Sequence, residues 1–163
     1  MRKKRRLVPA ILFSLGFTIV LIFSIQGSFA SIPKPLTTSA VLCGIKIDNA
    51  HLTTVLIEGA IAPVVKVNAT SKCNKPQQKL EIIVDLYKTG APFDHLVGHF
   101  ISKVYELVPA NKIIKMESAY VRCKNSVKTV YFGVTYGHAL INGVWNYAPV
   151  GISLGRVPIA CGT

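Results

Sequence analysis

The sequence predicts an all-β chain: an immunoglobulin-like antiparallel β-sandwich of about seven strands with two disulfides, preceded by an apolar N-terminal segment. Three observations carry this prediction. Short runs alternate apolar and polar residues with a period of two and are separated by turn residues. All four cysteines stand in phase with the apolar side of such runs. There is no internal repeat, and no long helical pattern follows the N-terminal segment.

That segment opens "MRKKRR", continues with the apolar run Leu7 to Ile25, and closes with "QGSFASIP". A basic stretch, an apolar stretch and small residues at a cleavage point make a secretory signal peptide over residues 1–30, with Ser28 and Ala30 at the −3 and −1 positions. Pro33 and Pro35 cannot continue a helix, so 31–42 reads as a linker to a β-domain at 43–163. A retained membrane anchor is the alternative, because the apolar run reaches bilayer-spanning length; Pro9, Ser14, Thr18 and Ser24 weaken it. In either case the basic end stays in the cytoplasm and the rest is exported, secreted or anchored facing outside.

The charge of +12 belongs partly to that leader. Setting aside its five cations leaves 14 of the 19 Lys and Arg against 7 acids, a balance of +7. Those cations are scattered, which reads as a soluble basic surface; the sharper alternative is affinity for an anionic cell-surface polymer or lipid headgroups. Export and the absence of a nucleic-acid motif argue against nucleic acid as a partner.

The elements follow in order. "CGIKIDN" places Cys43, Ile45 and Ile47 on one face. "VVKVNATSKC" alternates Val65, Val67, Ala69, Ser71 and Cys73 against Lys66, Asn68, Thr70 and Lys72, and "NKPQQ" then turns the chain. "KLEIIVDLYK" points Leu80, Ile82, Val84 and Leu86 inward and Glu81, Asp85 and Tyr87 outward. Between Ala91 and Pro109 strand and helix spacings compete. "KIIKMESAYVRC" shifts phase near Ser118, as a β-bulge would require. In "KTVYFGVTYGHA", Val130, Phe132, Val134 and Tyr136 are expected inward, with Tyr131, Gly133, Thr135 and Gly137 outward. "VPIAC" ends the domain with Val157, Ile159 and Cys161 in phase.

An even cysteine count in an exported chain reads as two disulfides, and the spacings exclude CxxC redox and zinc-ribbon patterns. Hairpin geometry sets the start of one strand beside the end of the next, which favours Cys43–Cys73 and Cys123–Cys161. The nested alternative is Cys73–Cys123 with Cys43–Cys161.

Candidate chemistry is sparse. His95 and His99 would share one face of a helix and suit zinc, but Leu96 stands where a zincin needs its glutamate, and Gly98 disfavours a helix. On a regular strand the two would share a face about 13 Å apart, at roughly 3.3 Å per residue, too far for one metal ion. "GISLG", with Ser153 at its centre, fits a nucleophile-elbow spacing, yet no histidine follows it as that triad order demands. Glu81 and Asp85 read as a solvated face rather than a glycosidase pair. Tyr131, on the outer face, and Trp145 and Tyr147, in the expected loop "INGVWNYAPVG", form the expected binding surface.

The segments "CGIKID", "VKVNATSKC", "LYKTG", "CKNSVKTVYFG" and "IAC" resemble the pattern of small exported four-cysteine actinobacterial proteins of uncharacterised function. The resemblance runs from about Cys43 to Cys161 and implies export, disulfides and a β-domain; it implies no reaction. The chain departs from that pattern in being rich in Lys and Ile, and in a longer segment between Gly90 and Lys112. The expectation is therefore a non-catalytic binding or cell-envelope protein without a cofactor, its partner an anionic surface polymer or an envelope or host protein. The alternative is a small secreted hydrolase or metal-dependent enzyme using His95 and His99.

Overall fold

Residues 40–156 and 158–163 are described by the computed structural model, and every regular element among them is a strand. The expected signal segment 1–30, most of the linker and Val157 lie outside the described residues. In chain order the strands are β1 (Cys43–Ile47), β2 (His51–Ile57), β3 (Ala60–Cys73), β4 (Gln77–Lys88), β5 (His95–Ile101) and β6 (Tyr105–Val108). They continue with β7 (Ile114–Arg122), β8 (Asn125–Ile141), β9 (Val144–Tyr147), β10 (Gly151–Ile152) and β11 (Pro158–Gly162).

These eleven strands occupy seven lanes in two antiparallel sheets. In the first sheet β1 and β2 pair end to end along one edge of the long β3, and β7 takes its other edge. In the second, β5 and β6 share one edge of β4, β8 takes the other, and β9, β10 and β11 follow one another along the far edge of β8. The result is a three-lane sheet packed on a four-lane sheet, an immunoglobulin-like antiparallel sandwich. The strand after β4 stays beside it rather than crossing to the three-lane sheet as in a constant-type domain.

The inner faces meet in one core. Val65, Val67, Ala69, Met116 and Ala119 come from the three-lane side; Leu80, Ile82, Val84, Leu86, Tyr131 and Ala139 come from the four-lane side. The alternation on β3 and β4 runs in phase with this core as the sequence predicts. A register shift in the β3–β7 ladder between Val67 and Ala69 places two residues, Glu117 and Ser118, opposite one, which is the expected bulge.

Two expectations are corrected, and one choice left open is decided. First, β8 is turned over. Tyr131, Gly133, Thr135 and Gly137 are buried, whereas Val134 and Tyr136 are only half-buried. Apolar residues occupy both sides of this strand, so alternation alone does not choose a face. The glycines decide it: a Cβ on Gly133 would stand 2.5 Å from Ile47 Cδ1, and one on Gly137 would stand 3.3 Å from Ile45 Cδ1. Ile47 fills the space over Gly133, and over Gly137 the Glu81 carbonyl oxygen, 2.7 Å from such a Cβ, leaves no room beside Ile45. Second, "INGVWNYAPVG" is not a loop. Asn142 and Gly143 take φ of 51° and 76°, the positive values of a two-residue type I′ turn, and fold β9 back onto β8. The open choice concerns Ala91 to Pro109, where the competition between strand and helix spacing is decided for strands: the segment contains β5 and β6 and no helix.

The disulfides are Cys43–Cys73 and Cys123–Cys161. The first joins residues directly opposite in the β1–β3 ladder, with Cα atoms 4.1 Å apart. The second, with a Cα separation of 4.9 Å, ties the end of the three-lane sheet, where Cys123 N–H donates to Pro63 O, to β11 in the other sheet. Both bonds belong to an oxidising compartment.

Candidate functional site

Because residues opposite in an antiparallel ladder point to the same side, register alone gives the outer face of the four-lane sheet. Its rows run Leu96–Tyr87–Phe132, His99–Asp85–Val134–Ile152, Ile101–Ile83–Tyr136, Glu81–His138–Tyr147 and Lys79–Leu140–Trp145. From Phe132 to Leu140 this face is roughly 26 Å long, at about 3.3 Å per residue.

The acids on it are paired, and Lys79 at its end forms no ion pair among the described residues. His99 Nδ1 lies 2.6 Å from Asp85 Oδ1, and Tyr136 Oη donates to Asp85 Oδ2 at 3.3 Å. Asp85 is 9% exposed, so these two hydrogen bonds satisfy a carboxylate that would otherwise be costly to cover. Burial, and then the charge of Asp85, raise the Tyr136 pKa above the ordinary phenol value. His138 Nε2 stands 3.5 Å from Glu81 Oε1, and Arg156 pairs with Asp94 at 3.9 Å.

Aromatic rings frame these pairs at both ends. Tyr87 stacks on Phe132 with centroids 5.2 Å apart, and the Arg156 guanidinium lies 4.4 Å from the Phe132 centroid. At the other end His138 meets Trp145 edge-on at 4.9 Å and Tyr147 at 5.8 Å. Leu96, Ile101, Ile152, Trp145 and Tyr147 all remain exposed, Tyr147 by 76%. The face thus combines apolar and aromatic side chains with central carboxylates that already have partners.

The residues singled out from the sequence are distributed differently from expectation. Trp145 and Tyr147 sit on this face, on β9. Tyr131 does not: it is fully buried, and its hydroxyl donates to Cys161 O at 2.6 Å, locking β8 to β11. His95 and His99 are not on one face. The β4–β5 ladder passes from Tyr87–Leu96 directly to Leu86–Gly98, so Val97 is an extra residue and the phase of β5 changes there. His95 falls opposite Lys88 on the inner side and His99 opposite Asp85 on the outer side. Among the described residues no group of three or more His, Cys, Asp and Glu side chains converges as a metal site. Ser153 is buried, and its Oγ accepts from Gly133 N–H at 2.9 Å, a structural clasp of β10 onto β8. Among the described residues His99 hydrogen-bonds only to Asp85, with no hydroxyl or thiol on its other nitrogen to activate.

Sequence reasoning missed Phe132, Tyr136, His138 and Arg156. A usable signal was present: Glu81, Asp85 and Tyr87 alternate outward on β4, and pairing β4 with the long β8 would have set their neighbours. The reversed phase of β8 concealed it. No protein-family model matches the chain, and no curated protein matches it.

Proposed function

We propose that the chain is an exported, non-catalytic binding or cell-envelope protein that holds a protein partner on the open face of its four-lane sheet. The observation that carries this reading is the composition of that face: Trp145, Tyr147, Tyr87 and Phe132 with Arg156, exposed aliphatic residues between them, and the central charges already paired. Interfaces are enriched in Tyr, Trp, Phe and Arg, and partnered polar groups can be covered at little cost. Two disulfides and the leader-like N-terminus support export, as does the resemblance to exported four-cysteine proteins. N-terminal sequencing of the mature protein should begin at Ser31; a start at Met1 would favour the retained anchor.

The enzyme alternative rested on His95 and His99, and opposite faces of β5 remove their common ligand. The interface is tested with a photo-crosslinking residue, p-benzoylphenylalanine, in place of Tyr147, and separately in place of exposed Leu56 on β2. We expect one discrete protein adduct from the envelope fraction at position 147, lost on adding Trp145→Ala, and none at position 56. The absence of an adduct at 147, or the same adduct from both positions, would overturn the reading.

A further inference from the structure

The outer face of the three-lane sheet has a different chemistry. Lys46 on β1 and Lys115 on β7 flank Thr70 of β3 in one row, and Lys72 lies two residues along β3, opposite Gly44. Lane spacing and diagonal spacing put the three lysine backbones roughly 7–10 Å apart, within reach of one another's side-chain tips. All three are exposed, and among the described residues none has an ion-pair partner. The acids nearest along their strands, Asp48 and Glu117, form no bridge to them.

Like charges gathered on one sheet face destabilise it, so nothing in folding favours the arrangement. The lysines surround a groove of about 440 Å³ lined by Gly44, Lys46, Thr70, Lys72, Ile113 and Lys115. Gly44 keeps one wall open, since a Cβ there would meet nothing within 4 Å. Three ammonium groups around a hydroxyl match an anion with several acceptor oxygens and more than one charge, which describes phosphate better than a lone carboxylate. Lysine, a flexible point charge, follows a polymer without fixing its geometry.

We propose that this groove binds the phosphate groups of a linear polyanion, through Lys46, Lys72 and Lys115 with Thr70 beneath them. This site is separate from the aromatic face and stands whether or not that face takes a protein.

The test is binding of sodium polyphosphate to the disulfide-bonded domain, followed by fluorescence anisotropy of end-labelled polymer over a range of salt. We expect affinity to fall with salt at a log–log slope of about −2, as for three neutralised phosphates on a single strand. The triple variant Lys46→Gln, Lys72→Gln, Lys115→Gln should bind more than roughly tenfold more weakly, because those three contacts supply the polymer-bound charge. A control with Lys79→Gln, Lys103→Gln and Lys128→Gln loses the same charge from the other sheet and its connections, and should keep nearly all the affinity. Equal losses in both variants would reduce the effect to net charge and overturn the site. No binding by the unaltered protein at low salt would overturn it too, as would binding through the triad to phosphatidylglycerol vesicles but not to polyphosphate.

Discussion

The two outer faces of the sandwich are built by the same alternation, yet they treat charge in opposite ways. On the four-lane sheet Asp85, Glu81 and Asp94 each meet a His or Arg, and rings close around the pairs. On the three-lane sheet Lys46, Lys72 and Lys115 meet no acid among the described residues. A face whose central charges are already partnered can lose water cheaply there and suits a protein surface. A face with unpartnered cations gains only when the partner brings the anion. The difference teaches that a net charge of +7 spread evenly through the sequence becomes two distinct surfaces once register is set.

The largest expected effect separates the faces by binding. Trp145→Ala with Tyr147→Ala should weaken the protein partner by roughly a hundredfold, the scale of two truncated aromatic anchors. Polyphosphate affinity should stay within a factor of about two, since the substitutions remove no phosphate contact. A parallel loss of both activities would break the comparison.

The next effect is on stability. Cys43–Cys73 fastens the strand carrying Lys46 to the strand carrying Lys72. Replacing both cysteines with alanine should lower unfolding free energy by roughly 3–4 kcal/mol for a loop of this length, measured in urea. The same variant should weaken polyphosphate binding more than partner binding, because only the lysine face loses a tether.

Asp85→Ala acts on the other side. It leaves His99 and Tyr136 without their shared acceptor and should cost about 1–3 kcal/mol. Lysine-face binding should be unaffected.

The smallest effect is alkaline. The Tyr136 pKa is raised in the folded chain, chiefly by burial and then by Asp85, so its contribution to stability is complete below pH 10, the ordinary phenol value. It is lost as pH climbs from there through the raised value. Tyr136→Phe should therefore show a flatter stability profile above about pH 10 than the unaltered protein. Identical slopes would remove Tyr136 from that pair.

Much of this was legible in the residues. Val65 to Cys73 and Leu80 to Leu86 displayed their inner face by simple alternation, and the phase slip at Ser118 announced its bulge. Cysteine phase was consistent with the pairing that the structure contains. What was not legible depended on partners far away in sequence. Gly133 and Gly137 carry no hydrophobic signal, and the atoms that crowd them, from Ile45, Ile47, Val67 and the Glu81 carbonyl, lie far away in sequence. The bulge at Val97 has no compositional mark; Gly98 is a hint in retrospect, since a Cβ there would crowd the Phe100 ring and Val121. Asn142-Gly143 was readable as a hairpin turn, and taking it for a loop hid the strand that presents Trp145 and Tyr147.

That the two faces bind separately can be tested in one titration, because Trp145 is the single tryptophan and stands only on the aromatic face. Polyphosphate is added while lysine acetylation is mapped by mass spectrometry and tryptophan emission is followed. We expect Lys46, Lys72 and Lys115 to be protected, Lys79 and Lys128 to remain reactive, and the emission of Trp145 to stay constant. Protection spread evenly over all lysines, or an emission change that tracks binding, would contradict it.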